Sequence, residues 1–325
     1  MELIIKPTEL CNFKCTFCSS PNLSEHNANT LDIKYIKEFL VKYPYTNTII
    51  VNGGDPLMLP PRYYWDIIEY IEENDLNTTL AFTSNLWDFY KHPDKWSNLF
   101  RHDKVGVTTS FNYGDTRRIT DSRVYTEEDF WNVSDLFLER IGYRPDFISV
   151  ITNDTLELAM DNVYLAEKMG VECKLNYVFN SGYSKEVFLL GDIYKVYLQI
   201  IEEGLVEYEY NTKQLVKMKY SNTTCPLSKV CDSNIRTLHP DGKLYSCGAF
   251  ADDLRYELDS KTEFHDAPLK ADCSLQVLKA DCFMCPLTTI CNGCYKKVDD
   301  IKMSDSVEAH CAKMKELEEE LVKII

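Results

Sequence analysis

The chain has 325 residues, 45% of them apolar, which suits one large domain plus a smaller one, or a barrel with an extension. A formal charge of −16 argues against broad nucleic-acid binding, and no apolar run approaches the roughly 18–20 residues of a membrane span. Thirteen cysteines without a recognisable signal peptide point to a reducing cytoplasm, and to metal ligation rather than a disulfide framework.

From residue 2 to about 204, apolar runs alternate with amphipathic stretches. Strands are predicted at 2–7, 47–54, 77–85, 104–112, 146–154 and 171–179. Helical spacing is found at 32–43, 63–74 and 155–170. Repeated βα units imply parallel strands with right-handed crossovers. Pattern alone leaves an open sheet and a curved barrel fragment equally possible. After residue 204 the alternation stops. Residues 203–212 and 234–250 read as short strands around turns, with Asp241-Gly242 as a hairpin signal. A last helix is predicted at 306–325. The expected division is therefore 1–204 and 205–325.

Ligands of parallel βα folds bind where strands end and loops begin. Here those ends read Asn52-Gly53-Gly54-Asp55-Pro56, Thr83-Ser84-Asn85, Ser110-Phe111-Asn112 and Thr152-Asn153-Asp154. Turns favour such residues anyway, so one polar end would mean little. Four in succession suggest a polar ligand along one rim.

The cysteines fall into two groups, with Cys173 alone between them. Cys11, Cys15 and Cys18 share one loop after the first strand. Three thiolates cannot close a tetrahedral structural zinc site, and His26 as a fourth ligand would give an irregular one. Three thiolates can hold a [4Fe–4S] cubane by three irons and leave the fourth open.

On these residues the chain resembles the radical S-adenosylmethionine (SAM) superfamily. Cys11-x3-Cys15-x2-Cys18, with Phe17 before the last cysteine, is similar to its cluster motif. Gly53-Gly54-Asp55-Pro56 looks like its Gly-Gly-Glu-Pro motif for the SAM amine, with a carboxylate one methylene shorter. Ser84-Asn85, Ser110 and Asn153 resemble the SAM-contacting positions of the third, fourth and fifth strands. Arg123 resembles the arginine for the SAM carboxylate, with Arg117 and Arg118 as competitors. The resemblance covers about residues 2–200. It implies a partial (βα)6 TIM-like barrel, an electron donor such as flavodoxin or ferredoxin, and reductive cleavage of SAM to a 5′-deoxyadenosyl radical that takes a substrate hydrogen.

The second group reads Cys225-x5-Cys231, Cys247, Cys282-x2-Cys285-x5-Cys291-x2-Cys294 and Cys311. It resembles the SPASM extension, a cysteine-rich α+β region with two auxiliary [4Fe–4S] clusters. Its usual final spacing has three residues where this chain has two. The resemblance implies one set of Cys225, Cys231, Cys247 and Cys294, and another of Cys282, Cys285, Cys291 and Cys311, making three clusters in all. A zinc ribbon from the two Cys-x2-Cys pairs is the alternative, but it would orphan four other cysteines.

Cys173 and Cys273 remain. Cys173 reads as a buried small hydrophobe; its sharper reading is a thiol that returns a hydrogen atom to a substrate radical. The family resemblance favours a maturase of ribosomally made peptides, acting by crosslinking, epimerisation or oxidation. Sulfatase maturation is disfavoured, because Gly248 stands after Cys247 where those enzymes carry an aspartate. With the first strand expected at residue 2, a precursor peptide would be presented by a separate leader-binding protein. The alternatives are a small substrate such as a sugar or nucleotide, or a non-catalytic iron–sulfur electron carrier.

Overall fold

A computed structural model describes residues 1–20, 29–218, 234–258 and 277–324. All six predicted strands form: β1 (Glu2–Ile5), β2 (Thr48–Val51), β3 (Thr79–Thr83), β4 (Val105–Ser110), β7 (Phe147–Ile151) and β8 (Cys173–Tyr177). They lie side by side in chain order and pair in parallel. A small hairpin of β5 (Arg118–Thr120) and β6 (Arg123–Val124) sits apart from the sheet. The sheet does not close on itself. Beyond β1 it continues into β9 (Ile235–Leu238), β10 (Leu244–Tyr245) and β11 (Glu257–Leu258).

Parallel register puts paired residues on one face. Ile5, Val51, Phe82 and Val107 share a buried face, continued by Ile151 and Tyr177. Helices α2 (Pro61–Glu73) and α4 (Pro93–Phe100) cover it, with the Tyr64 and Phe100 rings 4.8 and 5.6 Å from that of Phe82. The opposite face carries Ile50, Ala81, Thr108, Ser110, Val150 and Asn176, all only half-buried. An open parallel sheet with one helix-covered face leaves this second face less covered.

The expected helices appear as α1 (Ile33–Lys42), α2 and α6 (Ala159–Met169). The start of the 155–170 stretch is a tighter 3-10 turn, Asn153–Leu158. Three further helices, α3 (Trp87–Lys91), α5 (Glu127–Ile141) and α7 (Leu190–Glu202), complete this part.

Two expectations fail locally. Residues 203–212 form no strand but a 3-10 turn, Val206–Tyr208, and the start of helix α8 (Tyr210–Met218). The cause is Glu209, fully buried, whose carboxylate accepts from the Asn211 and Thr212 amides and so starts the helix; it also takes the Leu175 amide of β8. The helix expected at 306–325 is broken into α12 (Val307–Glu316) and α13 (Glu318–Ile324). At the break the Leu317 amide bonds three residues back, to Met314, tightening the turn. Between these regions lie the short helices α9 (Gly248–Asp252) and α10 (Thr288–Cys291), then α11 (Tyr295–Met303).

The Asp241-Gly242 hairpin forms as expected, with the His239 amide bonded to Lys243 O at 2.9 Å. Gly242 has φ +82°, and a Cβ there would stand 2.5 Å from the Tyr35 ring. More consequential is where this hairpin goes. β9 pairs in parallel with β1, setting Glu2 opposite Ile235 and Ile5 opposite Leu238. The cysteine-rich region thus shares a sheet with the βα repeats, a pairing no local pattern announces.

Candidate metal and cofactor site

The loop after β1 carries Cys11, Cys15 and Cys18, and distant segments grip it through its backbone. The Gly54 and Asp55 amides donate to Thr8 O and Leu10 O at 2.9 and 2.7 Å. The Lys14 and Thr16 amides donate to Arg118 O and Thr116 O. On the far side the Tyr183 amide reaches Cys18 O at 2.9 Å. Two close approaches need glycine. A Cβ on Gly54 would stand 2.1 Å from Leu10 O, and one on Gly182, which has φ +59°, would stand 2.3 Å from Ser19 O.

The three thiols lie within electrostatic reach of one another. Burial, then Asp55, then the other two cysteines push the Cys11 thiol well above its ordinary range. Burial leads again at Cys18, which is pushed up to about 12. Buried thiols that raise one another's pKa are poor thiolates on their own, and a cation among them reverses that balance. Among the described residues no three His, Cys, Asp or Glu side chains converge as the ligands of a single ion would. A cubane is held from its corners, which asks for a wider spread of thiols.

Asp55 follows the Gly53-Gly54 turn and is buried. Its carboxylate accepts from the Ser84 hydroxyl at 3.0 and 3.1 Å, the Asn85 amide at 2.9 Å and the Leu57 amide at 2.8 Å. Burial outweighs these bonds and raises its pKa to about 6. The shorter carboxylate of this motif therefore ties the end of β2 to the end of β3, and Pro56 opens the short 3-10 turn it caps. Asn85 extends the tie to the cysteine loop, its side-chain amide donating to Asn12 Oδ1 at 2.7 Å and lying 3.9 Å from Cys11 Sγ.

The arginines sort themselves by burial. Arg117 is buried, donates to Ser110 Oγ at 2.9 Å and Asn112 Oδ1 at 3.0 Å, and lies over the Phe17 ring at 5.2 Å. Arg123 is half-exposed on the β5–β6 hairpin, paired with Asp129 at 2.7 Å and lying over Trp87. The structure thus brings Arg117, not the expected Arg123, to Ser110 and Phe17. The β5–β6 register sets Arg118 opposite Val124 and leaves Arg123 beyond the core, a turn detail that spacing could not supply.

Asn153 lies on the rim but is exposed, and its amide donates to Glu186 at 2.9 Å. Cys173 is misplaced for its sharper role. It pairs with Phe147, the first residue of β7, at the end of the sheet away from the rim. It is fully buried, and burial followed by Glu209 and Glu172 raises its pKa. A hydrogen donor to a rim-bound substrate would need the other end of the strand, so Cys173 is core.

Two bracing residues escaped the sequence reading. Gly182 belongs to Asn180-Ser181-Gly182, a polar turn after β8 of the same kind as the four singled out, and could have been found. Asn12 carries no signal apart from its place between two cysteines.

In the C-terminal region, burial and then the charges of Cys285, Cys311 and Cys282 push Cys291 up, so these four thiols stand near one another. A surface cavity of about 220 Å³ is lined by Cys282, Cys285 and Cys311, with Lys279 and Lys315 beside them. Of the other expected set, Cys225 and Cys231 lie outside the described residues, as do Cys273 and His26. Cys247 immediately precedes α9; burial raises it to about 11 against bonds from the Phe250 and Ala249 amides. Cys294 immediately precedes α11.

A family model described as the radical SAM superfamily matches residues 5–189, more than half of the chain. The chain belongs to the radical SAM superfamily. It is accordingly an enzyme, with SAM and a [4Fe–4S] cluster as the implied cofactors. Over 93 residues it is 34% identical to GTP 3',8-cyclase of Photorhabdus laumondii, a match spanning 27% of this chain and only 28% of that protein. Two solved structures of anSMEcpe share its fold along nearly their whole length. With bound AdoMet the TM-score is 0.69 at 15% identity, covering 100% of this chain and 98% of that one. With AdoMet and the Cp18Cys peptide it is 0.71 at 15% identity, covering 99% and 98%. Streptococcus suis SuiB bound to its precursor peptide SuiA gives 0.62 at 17% identity, covering 93% and 72%. No helix among the described residues is long and apolar enough to cross a membrane.

The residues present fit the implied group. Three half-buried thiols on one clamped loop supply three ligands, and the bonded groups of β2, β3 and β4 stand at the adjoining strand ends.

Proposed function

We propose that this chain is a radical SAM enzyme of the SPASM type that modifies a peptide, with a radical SAM unit at 1–204 and an auxiliary-cluster unit at 205–325. The observation that carries the reading is the pair of separate thiol groupings. Among the described residues three thiols share the loop beside Asp55 and Asn85 without a fourth, and four stand together around Cys291.

In this reading Cys11, Cys15 and Cys18 hold the SAM-binding cluster. Cys282, Cys285, Cys291 and Cys311 hold one auxiliary cluster, and Cys225, Cys231, Cys247 and Cys294 another. When bound, the reduced cluster supplies the electron that cleaves SAM to the 5′-deoxyadenosyl radical. The chain orients and shields. Asp55, Ser84 and Asn85 lock the strand ends around the cysteine loop. Arg117, already lying over Phe17, offers a guanidinium for the SAM carboxylate, a charge-assisted pairing. Asn153 borders the same rim. The half-buried sheet face bearing Thr108, Ser110 and Asn176 receives the substrate.

A peptide substrate is supported by the whole-length likeness to anSMEcpe with its Cp18Cys peptide and by the likeness to SuiB with SuiA. The partial match to a GTP cyclase favours a nucleotide as the second reading. The chain, reconstituted anaerobically with iron and sulfide and given SAM and dithionite, should release 5′-deoxyadenosine, and Cys15→Ala should release none. Equal release from both would overturn the cluster assignment. Mass shifts in a short precursor peptide encoded beside this chain would decide for a peptide, and conversion of GTP would decide against it.

A further inference from the structure

Two buried ionic side chains stand where the cysteine loop meets the segment after Cys247. Lys6 directly follows β1 and is 4% exposed. Asp252 closes α9, the helix that opens right after Cys247. Lys6 Nζ donates to Asp252 Oδ1, and the side chains are only 6% and 13% exposed. The other oxygen, Oδ2, accepts from the Ser19 hydroxyl at 2.7 Å, and Ser19 follows Cys18. One carboxylate is thus bonded to both ends of the cysteine loop while riding on the helix that Cys247 begins. The Lys6 backbone is pinned as well, its amide donating to Leu238 O and its Cα 3.3 Å from the place of a Gly53 Cβ.

Both thiols feel both charges. At Cys18 and at Cys247 alike, behind burial, backbone bonds and, for Cys18, the neighbouring Cys15, Asp252 pushes the thiol up and Lys6 pulls it down. A buried ion pair is weak ground for stability, since apolar residues of similar volume often serve as well. Its position between two cysteine sites gives it another use. Reduction adds an electron to a cluster, so a nearby cation favours the reduced state and a nearby anion the oxidised one.

We propose that Lys6 and Asp252 are positioning residues that tune the reduction potentials of the clusters at Cys18 and Cys247, Lys6 raising both and Asp252 lowering both, with Ser19 holding the carboxylate in place. This inference rests on the cluster reading given above.

The test is an anaerobic redox titration of the reconstituted full-length chain, followed by electron paramagnetic resonance and with iron counted per chain. Lys6→Met should move the midpoints to more negative potential. Asp252→Asn should move them to more positive potential. The double variant should return toward wild type, and Lys6→Arg should stay there. A purely structural pair would cost iron in both single variants without opposite shifts. Unmoved midpoints, or shifts of one sign, overturn the inference and leave the clusters standing. If Lys6→Met fails to hold iron, Asp252→Asn still reads the sign, and a null or negative shift overturns the idea. A wild-type signal set unchanged by Cys247→Ala overturns the cluster reading there, and the inference with it.

Discussion

The two best-described thiol groupings are held in opposite ways. Cys282, Cys285 and Cys291 lie within ten residues, and Cys311 joins them from α12. The loop with Cys11, Cys15 and Cys18 is shaped by remote segments, with Gly54, Thr116, Arg118 and Tyr183 all bonding its backbone. The first grouping depends on local chain geometry and the second on the assembled sheet and its strand-end loops. Damage far from the N-terminal cysteines should therefore reach them, while the C-terminal set should tolerate it.

Gly54→Ala should show the largest effect. Its Cβ would stand 2.1 Å from a backbone oxygen that cannot swing away, so the loop or the β2 turn must shift. Overpacking of this kind costs about 1–3 kcal/mol. Denaturant unfolding of the iron-free chain should show that loss, and SAM binding after reconstitution should fall sharply. Gly182→Ala should act alike from the other side of the loop, through Ser19 O and a φ of +59°. Cys285→Ala, by contrast, should leave iron-free stability nearly unchanged and remove only its own share of iron. Equal destabilisation by Gly54→Ala and Cys285→Ala would end the contrast.

The arginines give the next step down. Arg117→Ala removes the guanidinium that Ser110 Oγ and the buried Asn112 Oδ1 accept from and should cost about 1–3 kcal/mol. Arg123→Ala removes an ion pair from a half-exposed side chain and should stay within about 0.5 kcal/mol. Calorimetric SAM affinity should follow the same order. A larger loss of SAM binding in Arg123→Ala would restore the assignment the sequence suggests.

That exchange of arginines marks where the sequence stops being readable. Strand periodicity located all six parallel strands, because a face buried under helices demands alternation along each. The strand-end motifs were legible because turns and close approaches allow few residue types. Arg117 was not separable from Arg123, since a short hairpin's register decides which side chain turns inward. The pairing of β9 with β1 joins residues more than two hundred positions apart, and no local pattern encodes it. Glu209 misled for another reason: its neighbours alternate like a strand, yet its buried carboxylate caps a helix.

The smallest expected effect concerns a tie between the hairpin and the cysteine loop. His239 is buried on the β9–β10 hairpin, with its ring nitrogens 3.2 Å from Glu9 and 3.0 Å from Asp241. Burial lowers its pKa, but the bonds to Glu9 and Asp241 outweigh it, and the net shift is upward from 6.5. A histidine raised in the folded state stabilises fully below its unfolded pKa. That contribution is lost as pH rises through the folded value, because the unfolded chain then holds fewer protons than the folded one. Across pH 6 to 9 the wild-type chain should therefore lose up to about 1 kcal/mol that His239→Gln does not lose. The comparison is the difference in unfolding free energy between the two chains at each pH, both iron-free. A difference constant across the range would mean that the imidazole stays neutral between its two carboxylates. The grip on the cysteine loop would then come from backbone bonds and glycine contacts alone.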